Sequence, residues 1–206
     1  MTLRSRIASA LLDGQTLARK ILDRELTSVL AGARARTVLD VGGASGVRYR
    51  GLVDSARYWT VDVQARNRPT VVADAHALPV ASESVDLVLS LQVLEHCIHP
   101  ERVLQESYRV LVPGGRLVLS TVLLYELHGS PHDYYRFTAS ALRDLARDFE
   151  QVRMTTLGNR FLAAYDLTIS RSVALNSLFG RLAFRAGTAP SDSCPCGFIL
   201  DAVKAR

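Results

Sequence analysis

A chain of 206 residues, 48% hydrophobic and 22% charged, can bury a core without disulfide or metal staples, which excludes the disordered and small disulfide-built classes. Its net charge of +5 is gathered in residues 1–68, where eleven arginines and one lysine face six acids. These basic residues are scattered and carry no interleaved aromatic rings for base stacking, so a solvated surface is favoured over a nucleic-acid groove.

The first residues, MTLRSRIASALLDG, hold two arginines and a short apolar patch cut by Asp13. That patch is short for a signal-peptide core, and no run approaches the roughly 20 apolar residues of a membrane helix. The expectation is a cytoplasmic protein with no membrane partner. Leu17, Ile21, Leu22, Leu26, Val29 and Leu30 then recur at helical spacing, predicting an amphipathic helix over 15–31 that lies on the domain and ends near Gly32.

Thr37-Val38-Leu39 is a β-branched and apolar run that reaches Asp40 and then Gly42, Gly43 and Gly46. It reads as a buried strand entering a tight turn where a ligand lies against the main chain. A dinucleotide fingerprint would need glycine at 42, 44 and 47, where the chain has Gly42, Ala44 and Val47, and a P-loop would need a nearby lysine; both are disfavoured. A crossover helix is expected from Gly46 to Ser55, its free N–H groups pointing at the ligand. The β-rich run Tyr58 to Val63 ends in Asp62, an acid placed either to accept a ribose diol or as an ordinary strand-end carboxylate.

Thr70 to Ala73 forms a short third strand, followed by Asp74, a candidate ligand group or turn former. Val85 to Leu91 is nearly continuously apolar, as a central parallel strand is, with Ser90, Leu91 and Gln92 at its ligand-facing carboxyl end. Glu95 and His96 follow, near the substrate or opening the next helix. Pro100 to Val112 is a predicted helix, broken by Pro113-Gly114-Gly115 before the strand Arg116 to Thr121.

Residues 125–138 hold two histidines, two acids, three tyrosines and an arginine, the densest supply of titratable groups in the chain. His132 and His128 are the candidate bases, with His132 the better placed, and Arg136 could orient an anionic group. Tyr134, Tyr135 and Phe137 line a substrate pocket or pack, and Thr138 caps the next helix. Residues 151–157 and 198–205 read as the last two strands. Between them an apolar helical insertion, about 158–190, covers the acceptor pocket or pairs two copies of the chain. Cys97, Cys194 and Cys196 form no disulfide framework, Cys194-Pro195-Cys196 reads as loop cysteines, and no metal is expected.

The run Val38-Leu39-Asp40-Val41-Gly42-Gly43-Ala44-Ser45-Gly46 resembles hhDhGxGxG, the first motif of class I S-adenosylmethionine-dependent methyltransferases, with Ala44 in place of the middle glycine. VADAHALPVASESVDLVLSLQVLEH is similar to that family's GDAxxLPFxxxSFDxVxxxxxLEH, the PGG turn matches its late motif, and PHDYYRFT resembles a segment of its small-molecule, methyltransferase-11-like members. The resemblance runs from about residue 36 to 122. It implies one domain over 1–206 with a doubly wound, Rossmann-like α/β fold of seven strands in the order 3-2-1-4-5-7-6, mainly parallel with an antiparallel last strand. It also implies S-adenosylmethionine as cofactor, held by Asp40, Gly42, Gly43, Ala44, Gly46, Asp62, Val63, Asp74, Ala75, Ser90 and Leu91. By that likeness Asp62 binds the ribose hydroxyls, Asp74 the adenine amino group, and Ala75 gives a backbone N–H to the ring.

The acceptor is then expected between Glu95-His96 and the 128–136 segment, touching Tyr134, Tyr135 and Arg136. A sugar, glycan precursor or secondary metabolite is the implied class. A base is required only for an acceptor that must lose a proton. Two alternatives stay open: a non-catalytic domain of this fold in which Ala44 blocks the cofactor, and a nucleic-acid methyltransferase using the basic N-terminal third. Against the second, Ser90-Leu91-Gln92-Val93 is not the Asn/Asp-Pro-Pro-Tyr run that grips a flipped base.

Overall fold

The computed structural model describes residues 16–44, 46, 48–129, 132–168, 182 and 185–206. Helix α1 (Leu17–Val29) precedes strand β1 (Arg34–Val41), and β2 (Asp54–Asp62), β3 (Val71–Val72) and β4 (Val85–Leu91) follow. Then come α2 (Pro100–Val110), β5 (Leu111–Val122), α3 (Ala139–Leu145), β6 (Phe149–Leu157), α4 (Arg160–Thr168) and β7 (Gly197–Lys204). The strands form one sheet in the order β3-β2-β1-β4-β5-β7-β6. β1 to β5 pair in parallel, and β7 runs antiparallel to both β5 and β6.

Alternation along each strand sends side chains to two apolar layers. Leu39, Val41, Val61, Val88, Leu117 and Leu119 meet Val103 and Leu104 of α2 and Leu142 of α3 on one face. On the other, Val38, Leu87, Leu89, Val118 and Ile199 meet Ile21, Leu22 and Leu26 of α1. β4 is apolar on both sides because both of its faces are covered. In-register pairing of Asp40 with Thr60 and Leu89 puts the carboxyl ends of β1, β2 and β4 on one edge, where ligands bind in such sheets.

Among the described residues, the crossover expected as a helix over Gly46 to Ser55 holds turns and a 3₁₀ turn at Arg50–Leu52, and β2 starts at Asp54. Two physical reasons combine. β1 begins early enough for Arg34 and Ala35 to pair with Asp54 and Ser55, which takes the last two residues of the expected helix into β2. α1 already covers that face, and Tyr49 and Val53 pack among its side chains. The Pro113-Gly114-Gly115 turn lies within β5 as an irregularity, Leu111 pairing with Val85 and Arg116 with Leu87. α3 is capped as expected, the Thr138 hydroxyl accepting from the Ala141 N–H at 3.2 Å.

α4 opens the expected 158–190 insertion. The Asn159 side-chain oxygen accepts from the N–H groups of Phe161 and Leu162 at 3.0 and 3.2 Å, and its amide donates to the carbonyls of Ala186 and Ala189. Residues 169–181, 183 and 184 of that insertion, expected either to cover the acceptor pocket or to pair two copies, lie outside the described residues, as do the arginines at positions 4 and 6. Among the described residues no helix is long and apolar enough to cross a membrane.

Candidate active site

The site is built where β1 runs out. Gly42 takes φ +72°, its N–H donates to the Val61 carbonyl at 2.7 Å, and a Cβ placed on it would overlap the Val93 side chain. A Cβ on Gly43 would overlap the Asp40 carboxyl. The chain therefore turns here on bare backbone, for steric reasons that are local. Ala44 occupies the next step at φ +48°, a left-handed conformation that glycine adopts freely and alanine only at a cost. Asp40 itself is buried and accepts from the Tyr58 hydroxyl at 2.7 Å. Burial pushes its carboxyl up to about 7, the Tyr58 bond pulling the other way.

Two cavities open on this edge. One of about 420 Å³ is lined by Gly42, Asp62, Val63, Asp74, Ala75, Gln92, His96 and Tyr134. Asp62 Oδ1 accepts from the Gln64 N–H at 2.8 Å and Oδ2 from the Asn67 side-chain amide at 2.9 Å, which fixes the carboxylate and leaves further lone pairs on both oxygens. Asp74 accepts from the His76 N–H at 2.9 Å. The second cavity, about 520 Å³, is lined by Asp40, Gly43, Ala44, Leu91, Gln92 and Tyr125, and by Thr16 and Arg19. Gly46 and Ser90, both expected at the cofactor, line neither cavity. Gly46 packs its Cα toward Thr60 and Tyr58, and Ser90 is wholly buried in the sheet with its hydroxyl unpartnered among the described residues.

Arg19 was not expected at the site, whereas Gln92 was expected only at the ligand-facing end of β4 and Tyr125 only within the titratable 125–138 segment. α1 carries Arg19 to the cavity rim, where its guanidinium donates to the Tyr49 hydroxyl at 3.1 Å. Gln92 is held at φ +60° by its N–H bond to the Ser120 carbonyl at 2.9 Å, a strained conformation of the kind that collects at functional sites. Its place at the end of a central parallel strand is the signal that marked it in the sequence.

A cluster of titratable groups stands beside Gln92. Residues Leu94–His96 form a 3₁₀ turn after β4 that buries Glu95 completely. Glu95 Oε2 accepts from the Thr121 hydroxyl at 2.8 Å, its carbonyl accepts from the N–H of Tyr134 at 2.8 Å and of Tyr135 at 3.3 Å, and Oε1 has no hydrogen-bond partner among the described residues. Burial raises the Glu95 carboxyl above the usual range. His128 Nε2 lies 3.8 Å from that Oε1, while its Nδ1 faces Asp133 Oδ2 at 3.3 Å and the Glu126 carbonyl at 3.2 Å. The rings of His96 and His128 meet edge to face at 4.9 Å.

His132 reaches the cluster through its main chain: its carbonyl sits 2.5 Å from His96 Nδ1, and the residue is exposed. Arg136 is engaged within its own loop, donating to the Asp133 carboxylate and to the carbonyls of Glu126 and Tyr135. Its guanidinium holds the Asp133 carboxyl well below the usual range. Of the three aromatic candidates, Phe137 is in the core, Tyr134 lines the first cavity, and Tyr135 donates its hydroxyl to the Ile98 carbonyl at 3.0 Å.

Residues 39–119 match the family model described as a methyltransferase domain. The chain is 40% identical over 103 residues to an uncharacterized methyltransferase of Mycobacteroides abscessus, covering 42% of this chain and 40% of that one. It is 34% identical over 131 residues to malonyl-[acyl-carrier protein] O-methyltransferase 1 of Coxiella burnetii, covering 57% of this chain and 46% of that one. The chain thus spans less than half the length of these curated relatives. Among solved structures, phosphoethanolamine N-methyltransferase 2 of Haemonchus contortus in complex with S-adenosyl-L-methionine matches 90% of this chain and 52% of that one, at a TM-score of 0.62 and 16% identity, a likeness of fold.

Proposed function

We propose that this chain is a class I S-adenosylmethionine-dependent methyltransferase that transfers a methyl group from S-adenosylmethionine to a small-molecule acceptor, a reading supported by the methyltransferase-domain match over residues 39–119 and by the methyltransferase relatives. The observation that carries this reading is the first cavity: the carboxylates of Asp62 and Asp74 line a space of about 420 Å³ that ends at Gly42, where no Cβ is tolerated. Those groups fit the ligand. Asp62, already oriented by Gln64 and Asn67, accepts hydroxyls of a ribose, and Asp74 with the Ala75 N–H faces the base. Arg19, at the rim of the second cavity beside Gly43 and Ala44, suits the carboxylate of the amino-acid part. When bound, the cofactor supplies an electrophilic methyl on a positively charged sulfur.

The protein's own task is to align an acceptor and keep the site dry. Gln92 lines both cavities, so the acceptor enters beside it, past Tyr125 and Tyr134, onto the Glu95, His96 and His128 cluster. Its proton, where it has one to lose, is handled there. Their placement favours His128 over His132 for contact with the acceptor, since His132 is exposed and meets the cluster by its carbonyl. The whole chain is read as one domain serving this site.

Calorimetric titration of the purified chain with S-adenosylmethionine and S-adenosylhomocysteine tests the proposal, followed by a mass-shift screen of small hydroxy, amino and carboxylic acids. Binding of both, with transfer to at least one acceptor, is expected. Binding of neither would replace the proposal with a non-catalytic domain of this fold.

A further inference from the structure

We propose that Glu95, His96 and His128 form a binding site for a divalent transition-metal ion, with open coordination positions facing the acceptor. The first argument is geometric: one donor atom from each of the three side chains lies within 4.8 Å of the other two. Bonds of roughly 2.0–2.2 Å would draw these donors about 1 Å closer together, a movement open to two side chains that are only partly buried.

The second argument is which atoms are left free. His128 Nδ1 faces two acceptors, Asp133 Oδ2 at 3.3 Å and the Glu126 carbonyl at 3.2 Å, so Nδ1 carries the proton and Nε2, 3.8 Å from Glu95 Oε1, carries the lone pair. His96 Nδ1 faces the His132 carbonyl at 2.5 Å, so its Nε2 is likewise the basic nitrogen. Glu95 has one oxygen held by Thr121 at 2.8 Å, while Oε1 is buried with no hydrogen-bond partner among the described residues. A buried carboxylate oxygen without a donor is costly, and a cation is the partner that would relieve it. Each ligand is thus oriented by an outer partner, as metal-binding imidazoles and carboxylates are. Asp133, fixed in turn by Arg136 at 2.7 Å, is the outer carboxylate for His128.

Two imidazoles and one carboxylate suit zinc, manganese or iron and disfavour magnesium, which wants oxygen ligands. His96 lines the first cavity and His128 lines a smaller one next to it that also includes Thr121 and Tyr125, so an ion here stands between cofactor edge and acceptor entrance. Resting on the methyl-transfer reading, this makes the preferred acceptor an oxygen acid. A hydroxyl bound to the ion loses its proton to bulk water more readily, the O–H pair staying on oxygen.

The test uses the full chain after chelator treatment, titrated calorimetrically with Zn²⁺, Mn²⁺ and Mg²⁺ and examined with Co²⁺ by visible absorption. One equivalent of Zn²⁺ or Mn²⁺ should bind, Mg²⁺ should not compete, and Co²⁺ should give ligand-field bands. His96→Ala and His128→Ala should each weaken the ion by about a hundredfold, and Asp133→Asn by roughly tenfold. Circular dichroism checks that each variant folds, and Glu95→Gln supplies an isosteric fourth. Absence of stoichiometric binding by any ion, or binding that His96→Ala and His128→Ala leave unchanged, overturns the proposal. Titration of the same preparations with S-adenosylmethionine separates the two readings: cofactor binding without metal binding sinks the metal site alone, and the reverse sinks the cofactor assignment alone.

Discussion

Replacing Asp40 with asparagine would convert a buried carboxyl beside the glycine turn into a measurable slope of stability against pH. In the folded chain this carboxyl is 1% exposed, and desolvation, opposed in part by the Tyr58 hydroxyl, pushes it from 3.8 to about 7. In the unfolded chain it ionises near its ordinary value of about 4. Between those two values the folded state keeps a proton that the unfolded state has released, so stability falls as pH rises. The contribution is fully present below about pH 4 and is lost by the time pH has passed about 7. At about 1.36 kcal/mol per tenfold change in proton affinity, the loss amounts to roughly 4 kcal/mol.

Asparagine is neutral throughout and keeps an oxygen for the Tyr58 hydroxyl, so Asp40→Asn should show a pH-independent cost of about 1–2 kcal/mol for its imperfectly paired amide. Relative to the unmodified protein it should then gain up to roughly 4 kcal/mol between pH 4 and pH 8. Urea unfolding of the cofactor-free protein, followed by far-ultraviolet circular dichroism in half-unit pH steps, reads that difference. Asp166, raised to about 6, and Glu95, also raised, both by burial, tilt both curves alike and cancel. A difference that stays flat across the range, or falls as pH rises, would refute the account of Asp40.

Gly43→Ala should destabilise the chain by about 1–3 kcal/mol, because its Cβ would overlap the Asp40 carboxyl; an unchanged unfolding midpoint would show that the turn can yield. Ala44→Gly relieves a φ of +48° and should raise stability by several tenths to about 1 kcal/mol, while leaving or improving S-adenosylmethionine affinity in calorimetry. Asp62→Ala removes charge-assisted hydrogen bonds worth about 1.5–3 kcal/mol each, so cofactor affinity should drop at least tenfold with the fold intact. Unchanged affinity with a lower melting temperature would make Asp62 a structural residue of the Gln64 and Asn67 loop.

Much of the fold was legible because its signals are local or carried by motif. The apolar run Val85 to Leu91 reads as a doubly covered strand and is one, its seven-residue length and β-branched valines favouring a strand over a buried helix. Thr138 as a cap needed only its hydroxyl and the helical run behind it. The helix expected after Gly46 met a tertiary rival: Asp54 and Ser55 pair with Arg34 and Ala35, and Tyr49 and Val53 pack among the side chains of α1.

The site divides along the same line. Asp62, Asp74 and Gly42, marked by motif likeness and by their places at strand ends, do line one cavity on the same edge of the sheet, whereas Gly46 lies away from it. Arg19 gave no sign, since its role depends on how α1 docks across β1 and β4, contacts far apart in the chain. The division of labour among His96, His128 and His132 was equally hidden. Spacing supplied the three imidazoles, but only the folded loop turned the His132 carbonyl toward His96 and left the buried Glu95 Oε1 facing His128. Residue type, local periodicity and motif likeness therefore determined the strands, and through the family resemblance the sheet and the edge on which the cavities open. Which side chains converge there was decided by tertiary packing, because direction in space is set by contacts between segments that the linear order keeps apart.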